Sequence, residues 1–250
     1  MSFETIRIDD SPGLRVIHFT RPQAGNSLNA SFIGEMAAAL AECYAANGPA
    51  IVVLRGSDQV FCVGGDFSAT AVNPQVDDPE PLYRLWQSLA SGPFISLACV
   101  QGRANAGGVG LAAACDMVLA ESGASFALSE LLFGLFPACV LPFLIRRIGH
   151  QRAHYLTLST QAISAAQALD WGLADAVEER MDGLLRKHLL RLRHLDKAAI
   201  GRYKAHMAEM SGLVAAKPAA LSANRAMFAD PTIRAGISRY VAEGKFPWEG

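Results

Sequence analysis

The stretch "QGRANAGGVGLAAACDMVLAE", residues 101–121, decides the fold. It runs from a polar tripeptide, Arg103-Ala104-Asn105, through a glycine turn into an alanine-rich segment and then a second apolar run. Gly108, Gly110 and Ala113 keep the G-x-G-x-x-A spacing of a dinucleotide-binding turn, and Glu121 closes the following apolar run. That reading would make the chain an NAD-binding protein, but it has two weaknesses. Such a fingerprint opens its domain, whereas at least three strands and two helices are read before it. The polar tripeptide also stands where a strand should run straight into the turn.

Working outward, residues 3–9 ("FETIRID") and 14–20 ("LRVIHFT") read as short strands around the turn signal Asp10-Ser-Pro-Gly13. Residues 29–46 have helical spacing with Asn29 as N-cap, and "AIVVLRG" (50–56) reads as a buried strand. "QVFCVGGDFSA" (59–69) closes into a Gly-Gly turn. An exposed loop over 70–80 then precedes a helix from about Leu82 to Ala90, and "FISLACVQG" (94–102) is a further buried strand. This alternation persists to about residue 177 and predicts an α/β fold with a largely parallel sheet. Beyond it the pattern is helical, in 181–195, 197–210 and 231–244. This tail suits a lid or oligomerisation element, and equally an appendage that completes the core.

Composition narrows the function. With 22 Lys and Arg against 23 Asp and Glu, there is no electrostatic case for nucleic acid or an anionic membrane. The opening "MSFETIRIDD" is polar and alternating, unlike a secretory signal peptide, and no apolar run approaches a bilayer span. Cys43, Cys62, Cys99, Cys115 and Cys139 are odd in number, without a C-x-x-C, and lie in apolar surroundings. They read as reduced core thiols of a cytoplasmic protein. His150 and His154 have the spacing of zinc ligands, but Gln151 stands where H-E-x-x-H needs its glutamate. The basic positions Arg186, Lys187, Arg191 and Arg193 read as a solvated helix face.

Taken together, the two glycine turns "VFCVGGD" and "ANAGGVG" suggest more than either does alone. Each follows a buried strand, and each can present backbone N–H groups at its tip. The second opens a helix whose N-terminus favours negative charge. Two converging donors make an oxyanion hole, suited to an enolate or tetrahedral oxyanion formed from a thioester.

Five segments then resemble, in order, the signatures of the enoyl-CoA hydratase/isomerase (crotonase) superfamily. They are "RPQAGNSLN" (21–29), "VFCVGGDF" (60–67), "VQGRANAGGVGLAAACDMVLA" (100–120), "FALSELLFGLFP" (126–137) and "ISAAQALDWGLADAV" (163–177). The resemblance implies a crotonase-like spiral of ββα units, here residues 1–190. It also implies a helical C-terminal region, 191–250, used in a homotrimer or dimer of trimers. The substrate would be an acyl thioester on coenzyme A or an acyl carrier protein, with no cofactor beyond the phosphopantetheine or coenzyme A arm. By position, the N–H groups of Gly65 and Gly107 polarise the thioester carbonyl. Of the two glutamates that hydratases use, one is present as Glu130, whereas Gly110 stands at the position of the other.

Two reactions survive that substitution. One is an isomerase working with Glu130 alone. The other is a dehydratase, since 129–149 and "GKFPWEG" (244–250) resemble the polyketide β-branching enzymes that dehydrate 3-hydroxy-3-methylglutaryl-acyl carrier protein. On this reading Gly110 leaves room beside the oxyanion hole for a branched β-carbon. Asp66 is the candidate second acid–base group or a helix-capping carboxylate. Asn105 holds a hydroxyl or braces the turn, Tyr83 closes over the site or packs in its helix, and Arg103 meets a distal carboxylate.

Overall fold

A computed structural model of the chain describes residues 3–68 and 78–249. The loop read over 70–80 therefore lies, up to residue 77, outside the described residues. The chain starts as a hairpin of β1 (Ile6–Ser11) and β2 (Leu14–Phe19), closed over Pro12-Gly13 with Gly13 at φ +72°. Asn29 caps α1 (Ala30–Ala41) as its sequence position suggested, its side chain accepting from Phe32 N at 2.9 Å.

From there the strands are dealt alternately to two sheets. β3 (Ile51–Arg55), β5 (Ile95–Val100) and β7 (Met117–Glu121) extend the hairpin into a six-stranded sheet of order β1-β2-β3-β5-β7-β10, with β10 (Ala176–Glu178) at its edge. Every pair in it except β1–β2 is parallel. The strand that follows each of these three goes to a smaller sheet of order β4-β6-β8-β9. Its members are β4 (Val60–Cys62), β6 (Arg103–Asn105), β8 (Ser125–Ala127) and β9 (Ile163–Ser164). Helices α2 (Glu80–Ser91) and α3 (Gly107–Ala114) complete the first two units, so the repeat is ββα and the chain winds as a crotonase-type spiral. The tripeptide Arg103-Ala-Asn105 is therefore itself a strand rather than an interruption.

The central strands β3, β5 and β7 are buried on both faces, as parallel strands are. Val52, Leu54, Ala98 and Val100 join the principal core with α1, α2 and α3. Ile51, Val53, Leu97 and Cys99 face the other way, onto α6 (Met181–Leu192) through Met181, Leu184, Leu185 and Leu189. Burying an apolar side chain contributes about 1.5–3 kcal/mol, and α6 thus completes the core. The five cysteines are all buried and free.

α4 (Leu141–Ser159) and α5 (Ala165–Trp171) lead back to β10. After α6 come α7 (Lys197–Met210), α8 (Leu213–Ala229) and α9 (Pro231–Glu243). Lys204 of α7 is buried and reaches Asp116 Oδ2 (2.6 Å), Phe94 O (2.7 Å) and Leu89 O (2.9 Å), tying the tail to the spiral. α9 instead packs on the turn Glu130–Phe133, in a cluster with Phe133, Leu135, Met227, Ile237 and Tyr240. Among the described residues, no helix is long and apolar enough to cross a membrane.

Candidate active site

The small sheet sets the site. Its first three strands run parallel and adjacent, with Cys62 beside Ala104 and Asn105 beside Ala127, so the segments leaving their C-terminal ends emerge side by side. Those segments carry Gly65 after β4, Gly107 after β6 and Glu130 after β8. All three line one cavity of about 1920 Å³, together with Asp66, Asn105, Trp86 and Arg234.

Each glycine turn aims an N–H. Leu28 and Gly65 form an isolated parallel bridge, in which Leu28 N donates to Gly64 O (2.8 Å) and Leu28 O accepts from Asp66 N (3.2 Å). Both bonds use the neighbours of Gly65, so its own N–H points away from Leu28. Gly107 is the first residue of α3, where a helical N–H has no intrahelical acceptor. Ala106 before it has φ +50°, a conformation that is strained for a residue with a Cβ. Ala106 is held there by its own N–H, which donates to Ala127 O at 2.9 Å. The two turns touch: a Cβ on Gly64 would lie 2.9 Å from Gly107 N and 2.7 Å from Ala106 Cβ. The two glycine turns are thus packed against each other in rigid backbone at one cavity.

Glu130 faces the same space. Its Oε2 is buried and meets no donor among the described residues. Burial pushes the carboxyl up to about 7, against the pull of the Glu130 and Ser129 backbone N–H groups. A carboxyl poised there exchanges protons near neutral pH. Asn105 braces the region, its Nδ2 donating to Ser129 Oγ at 3.0 Å, next to Glu130. Asp66 lines the cavity with its carboxylate engaged, accepting from Ser27 Oγ (2.8 Å) and Arg21 (3.1 Å). It ties its loop to residues 21–27.

Three expected residues lie elsewhere. Tyr83 is fully buried on the inner face of α2 and donates to Leu213 O at 2.8 Å; it packs rather than closing over the site. Arg103 is exposed and does not line the cavity, because in β6 the alternation sends Ala104 to the core. Gly110 leaves no open space. A Cβ there would come within 2.7–3.0 Å of the Trp86 ring, so the indole fills the room that the missing glutamate was expected to leave. The nucleotide-type glycines also have packing reasons. A Cβ on Gly108 would sit 2.0 Å from Cys62 O, neither Gly108 nor Gly110 lines the cavity, and Glu121 Oε1 accepts from Met181 N at 2.7 Å.

Sequence reasoning missed Trp86, and it missed Arg234 on α9. Trp86 sits three residues beyond Tyr83, on the apolar side of an amphipathic helix, where core and cavity positions look alike. Arg234 is brought to the cavity only by the packing of α9 on the Glu130–Phe133 turn, which leaves no local signal.

Comparison with known proteins gives the family and the fold. The profile of the enoyl-CoA hydratase/isomerase family matches residues 9–250. The chain is 47% identical to the bacillaene synthase dehydratase PksH of Bacillus subtilis, over 100% of this chain and 98% of that one. A probable enoyl-CoA hydratase of Rhodobacter capsulatus is 38% identical, over 69% of this chain and 68% of its own. The crystal structure of the B. subtilis polyketide biosynthesis enoyl-CoA hydratase PksH superposes with a TM-score of 0.95, covering 98% of this chain and 100% of that one. That of an enoyl-CoA hydratase/isomerase from Xanthobacter autotrophicus gives 0.86 at 25% identity, covering 97% and 95%.

Proposed function

The chain belongs to the enoyl-CoA hydratase/isomerase family and is a hydro-lyase, and on that premise we propose that it dehydrates a branched 3-hydroxyacyl thioester. The substrate we assign is 3-hydroxy-3-methylglutaryl on an acyl carrier protein, converted to 3-methylglutaconyl in polyketide β-branching. The PksH likeness over the whole chain supports that setting. The observation that carries the reaction type is the buried Glu130 Oε2, which meets no donor among the described residues and shares one cavity with the Gly65 and Gly107 turns.

The chemistry balances with those groups alone. The thioester oxygen accepts from Gly65 and Gly107 N–H, which acidifies the α-carbon. Ionised Glu130 takes the α-proton, and the enolate charge rests on the oxygen in the hole. As the enolate collapses, the β-carbon–oxygen bond breaks. Glu130, now protonated, returns the proton to the departing hydroxyl, and water leaves. No second acid is needed, which fits the engagement of Asp66 with Arg21 and Ser27. A glutaryl chain carries a distal carboxylate and calls for a cation. Arg234, which lines the cavity from the helix that packs on the Glu130–Phe133 turn, is the residue we assign to it.

The test is incubation with hydroxymethylglutaryl thioester on coenzyme A and on carrier protein, read by mass spectrometry. Loss of one water with the carrier-bound form preferred is expected. An isomerisation, which the lone Glu130 would also serve, leaves the mass unchanged and would replace this reading. We also propose a trimer, assembled through the exposed apolar side chains Tyr203, Met207, Met210 and Val214 at the junction of α7 and α8. Light scattering showing a monomer would refute it.

A further inference from the structure

Trp86 is buried to 1% exposure and lines the cavity, yet its Nε1 has no acceptor among the described residues. A buried indole N–H almost always finds a partner, and leaving one unmet costs about 1–3 kcal/mol. Packing alone does not call for that nitrogen. The ring stands edge-on to Phe143 (centroids 5.7 Å apart, 81°), and its six-membered part covers Gly110. A phenylalanine would serve both contacts.

The orientation of the ring gives the nitrogen a direction. Cζ2 is the atom nearest the oxyanion turn, 3.7 Å from the Cβ position of Gly107, and it also lies 3.0 Å from that of Gly110. In an indole, the C–H at Cζ2 and the N–H at Nε1 sit next to each other on one edge. Nε1 is two bonds from the ring atom that approaches the Gly107 turn, so the orphan donor lies close to that turn. A neutral indole donates and never accepts, and it holds its proton at neutral pH. It can hold an oxygen but cannot move a proton to it.

We propose that Trp86 Nε1–H binds the β-hydroxyl oxygen of the acyl group, fixing the leaving group beside the enolate while Glu130 does the proton transfer. The inference rests on the dehydratase reading given above. The thioester oxygen is taken by Gly65 and Gly107, and the β-oxygen is the next acceptor along the chain. A donor adjacent to Gly107 lies within its reach. The indole thus occupies the space over Gly110 where the family resemblance places a hydratase's carboxylate, and it offers an uncharged donor instead. A fixed donor that cannot ionise holds the hydroxyl without competing with Glu130 for the proton.

The experiment is nuclear magnetic resonance of the full chain, with indole nitrogens and backbone amides labelled, in the Glu130→Gln background so that probes are not turned over. Trp86→Phe assigns the Trp86 indole signal. Three pantetheine thioesters are added: 3-hydroxy-3-methylglutaryl, 3-methylglutaryl (no hydroxyl) and 3-hydroxy-3-methylbutyryl (no distal carboxylate). The Trp86 N–H is expected to move downfield with the first and third and not with the second. Trp86→Phe should weaken the hydroxylated probes about tenfold and the second by less than about twofold. If Gly65 and Gly107 amides move on binding but the indole does not, or the indole follows the carboxylate instead, the Trp86 assignment is wrong and the dehydratase reading stands. If no probe moves the glycine amides, the dehydratase reading falls and takes this assignment with it.

Discussion

Replacing Glu130 by glutamine separates what the carboxyl does for the reaction from what it does to the fold. Burial raises its pKa from 4.5 to about 7, so ionising it in the folded protein is harder than in the unfolded chain. At about 1.4 kcal/mol per tenfold, that gap amounts to about 3 kcal/mol. The sign follows from proton counts. Between 4.5 and about 7 the folded state holds the proton and the unfolded state has lost it, so stability falls as pH rises through that window. Below it the carboxyl is neutral in both states, and glutamine, a neutral near-isostere, should match it. Above it wild type bears the whole penalty and Glu130→Gln does not. Urea unfolding should therefore find the two proteins equally stable near pH 4.5 and the variant more stable by about 3 kcal/mol near pH 8. Dehydration should be lost in the variant. In wild type kcat/KM should rise with pH through about 7, as the ionised form is the base. A stability gap that is the same at both pH values would show that the carboxyl is not held out of water. Near-normal turnover by the variant would sink the mechanism.

Gly108→Ala puts a Cβ 2.0 Å from a backbone carbonyl and should cost about 1–3 kcal/mol or more in urea unfolding, whereas Gly65→Ala meets nothing within 4 Å and should leave the midpoint unchanged. Lys204→Met removes the cation from Asp116, which keeps only its Ser96 donors among the described residues, and should cost about 3 kcal/mol, read in the same way. Burial pushes the Cys62, Cys99 and Cys115 thiols up to about 12, so a thiol reagent at neutral pH should leave them unmodified in the native protein and label all five cysteines in urea.

Much of this molecule is readable from local chemistry, and the exceptions share a cause. Asn29 caps its helix and Pro12-Gly13 closes its hairpin because a few neighbouring residues settle both. The long strands are continuous apolar runs, and the glycine turns that follow β4 and β6 stand out in any reading. The small sheet was harder to see. β4, β6 and β8 are three residues each, too short to show a period, and Arg103-Ala-Asn105 reads as a polar break until its partners Val60 and Ser125 are known. Tyr83 and Trp86 pose another problem, since both lie on the apolar side of one helix and only three-dimensional packing sends one to Leu213 and the other to the cavity.

Gly110 shows how an absence in sequence can be misread. A glycine in place of a glutamate suggests an emptied pocket, yet the volume is taken by Trp86 from a different unit of the spiral. The exchange therefore swaps one functional group for another, a carboxylate on α3 for an indole N–H on α2. Three features that cost the fold gather around that swap: Ala106 at φ +50°, the buried Glu130 Oε2 and the buried Trp86 Nε1, all belonging to residues that line one cavity. A sequence tuned for stability alone would carry glutamine and phenylalanine at positions 130 and 86. Tolerating an orphan acceptor and an orphan donor in the same cavity makes physical sense if a ligand meets both, one with a proton to lose and the other with an oxygen to be held.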